Sequence, residues 1–202
     1  RMIAVLDIDV DISCPNVPIS SPIDTSTRPL NQDERSWLLQ CLGCLGWVSI
    51  TSRLDLRYTH SRISQHLGSP TISALKAAKH AALYAYSTSD LCIRQPKSVV
   101  ECSWRVYSDS DHAGNAEIQN KRKSQCSFIV FNGEAPITWG SKASSVQLED
   151  NYLHSIAPSA HPSITDMHAD LSSAAAEIYS AAISCYELLH VSYMCRESGI
   201  DL

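Results

Sequence analysis

The sequence predicts an α/β chain whose helices and strands are partly segregated: a small helical N-terminal part, then a three-stranded antiparallel sheet and one long helix. Three observations predict it. Apolar residues recur every three or four positions from Asn31 to Ala85. The period switches to two between Ser103 and Gly140, with an Asn132-Gly133 hairpin signal inside that stretch. From Leu171 the helical period returns. The 202 residues, 44% apolar and 18% charged, suffice for one large domain or two small ones, and the composition is not that of a disordered chain.

Residues 1–29 contain a short alternating piece, Ile3 to Ile12, and a Pro/Ser/Thr-rich stretch from Cys14 to Pro29, which together read as an extended tail or linker. A helical segment over 30–96 follows. Asn31 is a plausible N-cap, Asp33 and Glu34 suit the positive end of a helix dipole, and Trp37, Leu38, Cys41, Leu42, Leu45 and Val48 form a core face. A second helix is expected from Asp55 to His66. A third is expected to use Ser69 as N-cap and Pro70 at its first position, with Ile72, Leu75, Ala78, Ala82 and Ala85 turned inward. Lys76 and Lys79 fall off that face, where they serve either as ordinary solvated charges or as phosphate contacts.

The strands expected over 97–202 are Ser103 to Ser108, Gln125 to Phe131 and Ala135 to Gly140. Residues 144–170 carry no clean period. Their three histidines, His154, His161 and His168, match no known ligand spacing, so a long surface loop is expected. In the last helix the apolar stripe is expected to be Leu171, Ala174, Ile178, Ala181, Cys185, Leu188 and Ser192, with Glu177 at its edge.

Charge is uneven. Residues 1–100 hold ten Lys/Arg against eight Asp/Glu, net +2; residues 101–202 hold six against thirteen, net −7; together −5. An acidic second half is a poor phosphate-binding surface by itself, and a good place to bring metal ions. Eight cysteines at irregular spacing inside apolar segments read as reduced, mostly buried thiols, and the lone Cys41-Leu-Gly-Cys44 has no second ligand pair with which to hold zinc. No apolar run approaches the roughly 20 residues of a membrane span. The N-terminus Arg1-Met2-Ile3 has no signal-peptide pattern, so the expectation is an intracellular, non-secreted protein without a membrane partner, cut from a longer chain.

The octapeptide Tyr107-Ser108-Asp109-Ser110-Asp111-His112-Ala113-Gly114 concentrates the chemistry. A strand that delivers two carboxylates and then breaks at a glycine can hold a hard cation such as Mg²⁺, which takes carboxylate oxygens fixed by regular structure. A solvated strand-to-turn junction accounts for the same letters. Glu177 is either a flank charge or a partner pointing across to Asp109. The basic run Lys121-Arg122-Lys123 is either a solubilising turn or a nucleic-acid contact.

Four stretches in order resemble the C-terminal part of a copia-type LTR retrotransposon Pol polyprotein, namely the connection after the reverse transcriptase and then the ribonuclease H domain. Arg28-Pro29-Leu30 with the following helix resembles the start of the connection. Thr51 to Tyr58, Ser64-Gln65, Ser69-Pro70-Thr71 and Leu75 to Lys79 resemble its continuation. Tyr107 to Gly114 with Lys123-Ser124 looks like the first ribonuclease H motif. Ser172-Ser173-Ala174-Ala175-Ala176-Glu177 resembles the motif opening that domain's first helix. Residues 27 to 202 are covered, with 144–170 as an insertion; Ala175 stands where the family often has a further Glu, and Ser127 where it often has Gly.

The resemblance implies a partial ribonuclease H-like fold with later strands missing, and hydrolysis of the RNA strand of an RNA/DNA hybrid by two Mg²⁺ ions. It implies Asp109 and Glu177 as metal ligands and catalytic residues, with Asp111 at most supporting them. Lys76, Lys79, Lys121, Arg122 and Lys123 would contact nucleic acid, and an upstream reverse transcriptase of the same polyprotein is the implied partner. The family's third and fourth carboxylates lie after this helix, and the third is on a strand that pairs with the first. The 202-residue chain is therefore expected to bind Mg²⁺ weakly and to cleave very slowly or not at all, with an open strand edge prone to aggregation. A non-catalytic remnant or interaction module that keeps the fold without the activity is the competing expectation.

Overall fold

The structure, a computed structural model, describes residues 15–20, 22–94, 103–111, 124–143 and 173–199. The expected strand-like piece Ile3 to Ile12, Cys14, Cys102, the run Lys121-Arg122-Lys123 and the 144–170 insertion with its histidines lie outside these residues. The described residues form two compact units, one holding 15–94 and the other holding 103–111, 124–143 and 173–199. Among the described residues the elements are mixed α and β, four helices and a three-stranded antiparallel sheet, consistent with a partial ribonuclease H-like fold.

In the first unit, helix α1 (Gln32–Thr51) starts at Asn31 with a reciprocal cap. The Asn31 side chain accepts from the Glu34 N–H at 2.9 Å, and Glu34 Oε2 accepts from the Asn31 N–H at 3.0 Å. Glu34 also takes both terminal nitrogens of Arg28, at 2.9 and 2.6 Å, and that guanidinium, followed by the Asn31 N–H, draws its carboxyl down to about 2. The expected core face holds: Leu38, Cys41, Leu42 and Leu45 are buried, with Trp37 and Val48 packed at its margin. Burial pushes the Cys41 thiol up to about 12, so it behaves as an inert apolar group. The thiols divide more evenly than expected, for Cys41 and Cys126 are buried whereas Cys92 and Cys185 are exposed.

A 3₁₀ turn (Leu54–Leu56) leads into α2 (Arg57–Ser64), so the helix expected from Asp55 is split and shorter. Gly46 lets this pair pack closely, since a Cβ there would meet His60 Nε2 at 2.8 Å. Helix α3 (Ile72–Ser87) starts two residues later than Pro70 implies. The reason is a short bridge: Pro29 pairs with Thr71, the Leu30 N–H bonds to the Pro70 carbonyl at 3.1 Å, and the Ile72 N–H bonds to Arg28 at 3.0 Å. These bonds hold Thr71 extended, and it becomes the N-cap.

The stretch expected to be a linker is, where described, a strap across α3. Ile23 enters the core, the Asp24 N–H bonds to Ser73 Oγ at 3.0 Å, and His80 Nε2 lies 2.9 Å from the Val17 carbonyl. The helix is buried over a wider arc than expected: besides the expected Leu75, Ala78, Ala82 and Ala85, α3 also buries Ala74, Ala81, Leu83 and Tyr84, while Lys76, Lys79 and Tyr86 stay exposed. Its C-terminal end has no basic residue of its own. Arg53 supplies one from the loop after α1. Its Nη1 donates to the Ala85 and Thr88 carbonyls at 3.3 and 3.0 Å, while Nε and Nη2 grip Asp55 at 3.0 and 2.8 Å. The same guanidinium lies 5.6 Å from the Tyr84 ring centroid. Arg53 thereby satisfies carbonyls that a helix end otherwise leaves without partners.

The second unit is built on β1 (Trp104–Asp111), β2 (Gln125–Asn132) and β3 (Ala135–Ala143), in the order β1-β2-β3. β1 runs three residues beyond the expected Ser108 because Asp109, Ser110 and Asp111 pair with Ser127, Cys126 and Gln125. Asp111 is thus inside the strand rather than past its end. β2 and β3 join through the expected tight turn, but the loop residues are Gly133 and Glu134, with Gly133 at φ 58° and Asn132 still paired to Ala135. Phe128 covers Gly140, where a Cβ would collide with its ring. Helix α4 (Ser173–Glu197) packs on β1 and β2.

Two outcomes test the first unit. Burial lowers the His60 pKa below its ordinary 6.5, with the Arg57 charge adding to the effect and a backbone bond at Leu42 opposing it. Below that ordinary value the unfolded chain then binds more protons than the folded one, so stability falls as pH drops through 6.5. The urea midpoint is expected to decrease between pH 7 and pH 5, and His60→Gln to flatten that slope. Separately, Arg53→Met is expected to cost about 2 kcal/mol, read as faster hydrogen exchange at the C-terminal turn of α3.

Candidate metal centre

Residues opposite each other in this sheet share a face, so its register sorts the side chains. One face carries Val106 with Val130 and Thr138, then Ser108 with Phe128 and Gly140, then Ser110 with Cys126 and Lys142. The other carries Tyr107 with Ile129 and Trp139, then Asp109 with Ser127 and Ser141, then Asp111 with Gln125 and Ala143. On this second face the aromatic end is closed by Tyr107 against Phe131, edge to face at 5.8 Å between centroids. The end with the acids is polar. There Gln125 Nε2 donates to Ser141 Oγ at 2.7 Å, and Ser127 Oγ donates to the same oxygen at 3.1 Å. Gln125 and Ser141 are buried, whereas Asp109 and Asp111 are exposed.

Helix α4 meets β1 and β2 beside Asp109 and Ser127 through small residues. Ala176, Ser180 and Ser184, one turn apart, are its buried positions. The Ser180 hydroxyl lies 2.8 Å from the Asp109 carbonyl and 3.2 Å from the carbonyl of its strand partner Ser127, so one donor spans two strands. Ser184 turns back to the Ser180 carbonyl at 2.7 Å. Such contacts need the helix backbone close to the sheet, which Ala and Ser permit and a Leu would prevent. Glu177 precedes Ser180 by one turn, about 4.5 Å along the axis, and its carboxylate is exposed. The helix contact therefore brings the Glu177 turn to the strand position that carries Asp109.

The expected stripe of α4 is displaced. Ile178, Ala181 and Cys185 are exposed, and the sheet instead takes the Ala176-Ser180-Ser184 line. A stripe drawn by hydropathy misses the seam because close approach, rather than apolar area, selects it. The signal that could have found it is the small-residue repeat at four-residue spacing. Of the other sequence candidates, Lys76 is exposed on α3, and Lys79 is exposed with its ammonium 5.3 Å from the Trp37 ring centroid. That contact gives Lys79 a packing role within the first unit. Lys76 and Lys79 belong to the first unit and the two acids to the second.

The donor set suits a hard divalent cation in kind, since Asp109, Asp111 and Glu177 offer carboxylate oxygens on regular elements. In number it is sparse: among the described residues no group of three or more His, Cys, Asp or Glu is close enough to hold a metal. No helix among the described residues is long and apolar enough to cross a membrane.

Over 101 residues, half of this chain, the sequence is 35% identical to a retrovirus-related Pol polyprotein from transposon RE2 of Arabidopsis thaliana. It is 34% identical over the same length to the one from transposon RE1 of that plant. The matched stretch spans 7% and 6% of those two proteins, so the chain is similar to a small part of a transposon Pol polyprotein. No family model matches the sequence, and no solved structure does.

Ser180→Ala removes the hydroxyl that joins α4 to both strands and is expected to cost about 1 kcal/mol. Ser180→Leu, which also forces the helix away, is expected to cost about 3 kcal/mol. Chemical denaturation followed by the near-ultraviolet signal of the second unit checks both.

Proposed function

We propose that this chain is a piece of a retrotransposon Pol polyprotein, and that its second unit belongs to a ribonuclease H domain acting on the RNA strand of RNA/DNA hybrids. The observation that carries this reading is the Ser180 contact, which sets the turn bearing Glu177 against the strand position of Asp109. The similarity to two plant transposon Pol polyproteins supports the wider setting. Asp109 and Glu177 are the proposed ligands of Mg²⁺, and Asp111, on the face of Asp109, is available to hold a metal-bound water. Bound there, Mg²⁺ would supply a water of lowered pKa and charge stabilisation at the scissile phosphate.

The protein's own part is positional. β1 fixes Asp109 through its pairing with Ser127, α4 fixes Glu177, and the buried Gln125-Ser141 pair ties β2 to β3 on the face of Asp109. Discrimination of a hybrid would rest on groove shape and the 2′-OH rather than on base sequence. The basic run Lys121-Arg122-Lys123 and the pair Lys76 and Lys79 are proposed nucleic-acid contacts, and a reverse transcriptase of the same polyprotein is the proposed neighbour. The sparse acid set favours one second reading, a module that keeps the fold without turnover.

Both readings meet in one assay. A hybrid carrying a labelled RNA strand, incubated with the 202-residue chain and Mg²⁺, is expected to be cut at or barely above background, and Asp109→Asn to remove any excess. Fast cleavage abolished by Asp109→Asn would keep the site and reject the low activity. Fast cleavage that survives Asp109→Asn would reject the site itself.

A further inference from the structure

We draw no further inference here: the strongest candidate, the half-buried Arg57 side chain that opens α2 with an enclosed Nε lacking a hydrogen-bond partner, is a single cation at a helix start, and nothing in the structure shows what covers it.

Discussion

One hydroxyl decides how the second unit is arranged. Ser180 reaches the carbonyls of both Asp109 and Ser127, and the small residues on either side of it let the helix come near enough for that bond. Two consequences follow from this single seating. The turn with Glu177 comes to the strand position of Asp109, and the Ile178-Leu189-Tyr193 line is turned to the surface. A helix seated on its apolar side would have buried Ile178 and moved Glu177 elsewhere around the axis.

The first unit depends on a different device, the sharing of polar groups across elements distant in sequence. Arg53 closes the end of α3 from the loop after α1, and Glu34 binds the strap through Arg28 while completing its own helix cap. Each bond replaces water at a main-chain or charged group that the local helix cannot satisfy.

Much of this was legible in the sequence, and the rest was hidden for identifiable causes. The cap at Asn31, the core face of α1 and the hairpin at Gly133 follow from local rules of spacing and turn chemistry. The strap over α3 did not, because Pro and Ser report backbone preference but not the Thr71 bridge that gives the segment a partner. The sequence ends β1 three residues short because Asp109 and Asp111 are common turn residues, whereas Ser127 and Gln125 pair with them. Hydropathy misplaces the seam of α4 because it ranks Ile178 above Ser180. Motif resemblance singles out Asp109 and Glu177, and the hydroxyl that bonds to the Asp109 carbonyl belongs to Ser180, one turn after Glu177.

The most direct test of the central claim, that Asp109 and Glu177 belong to one cation site, is paramagnetic broadening by Mn²⁺ in the amide spectrum of the ¹⁵N-labelled chain. Selective broadening at Asp109, Ser127 and Glu177, diminished in both Asp109→Asn and Glu177→Gln, is the result the account predicts. Broadening centred elsewhere, or unchanged in either variant, would contradict it.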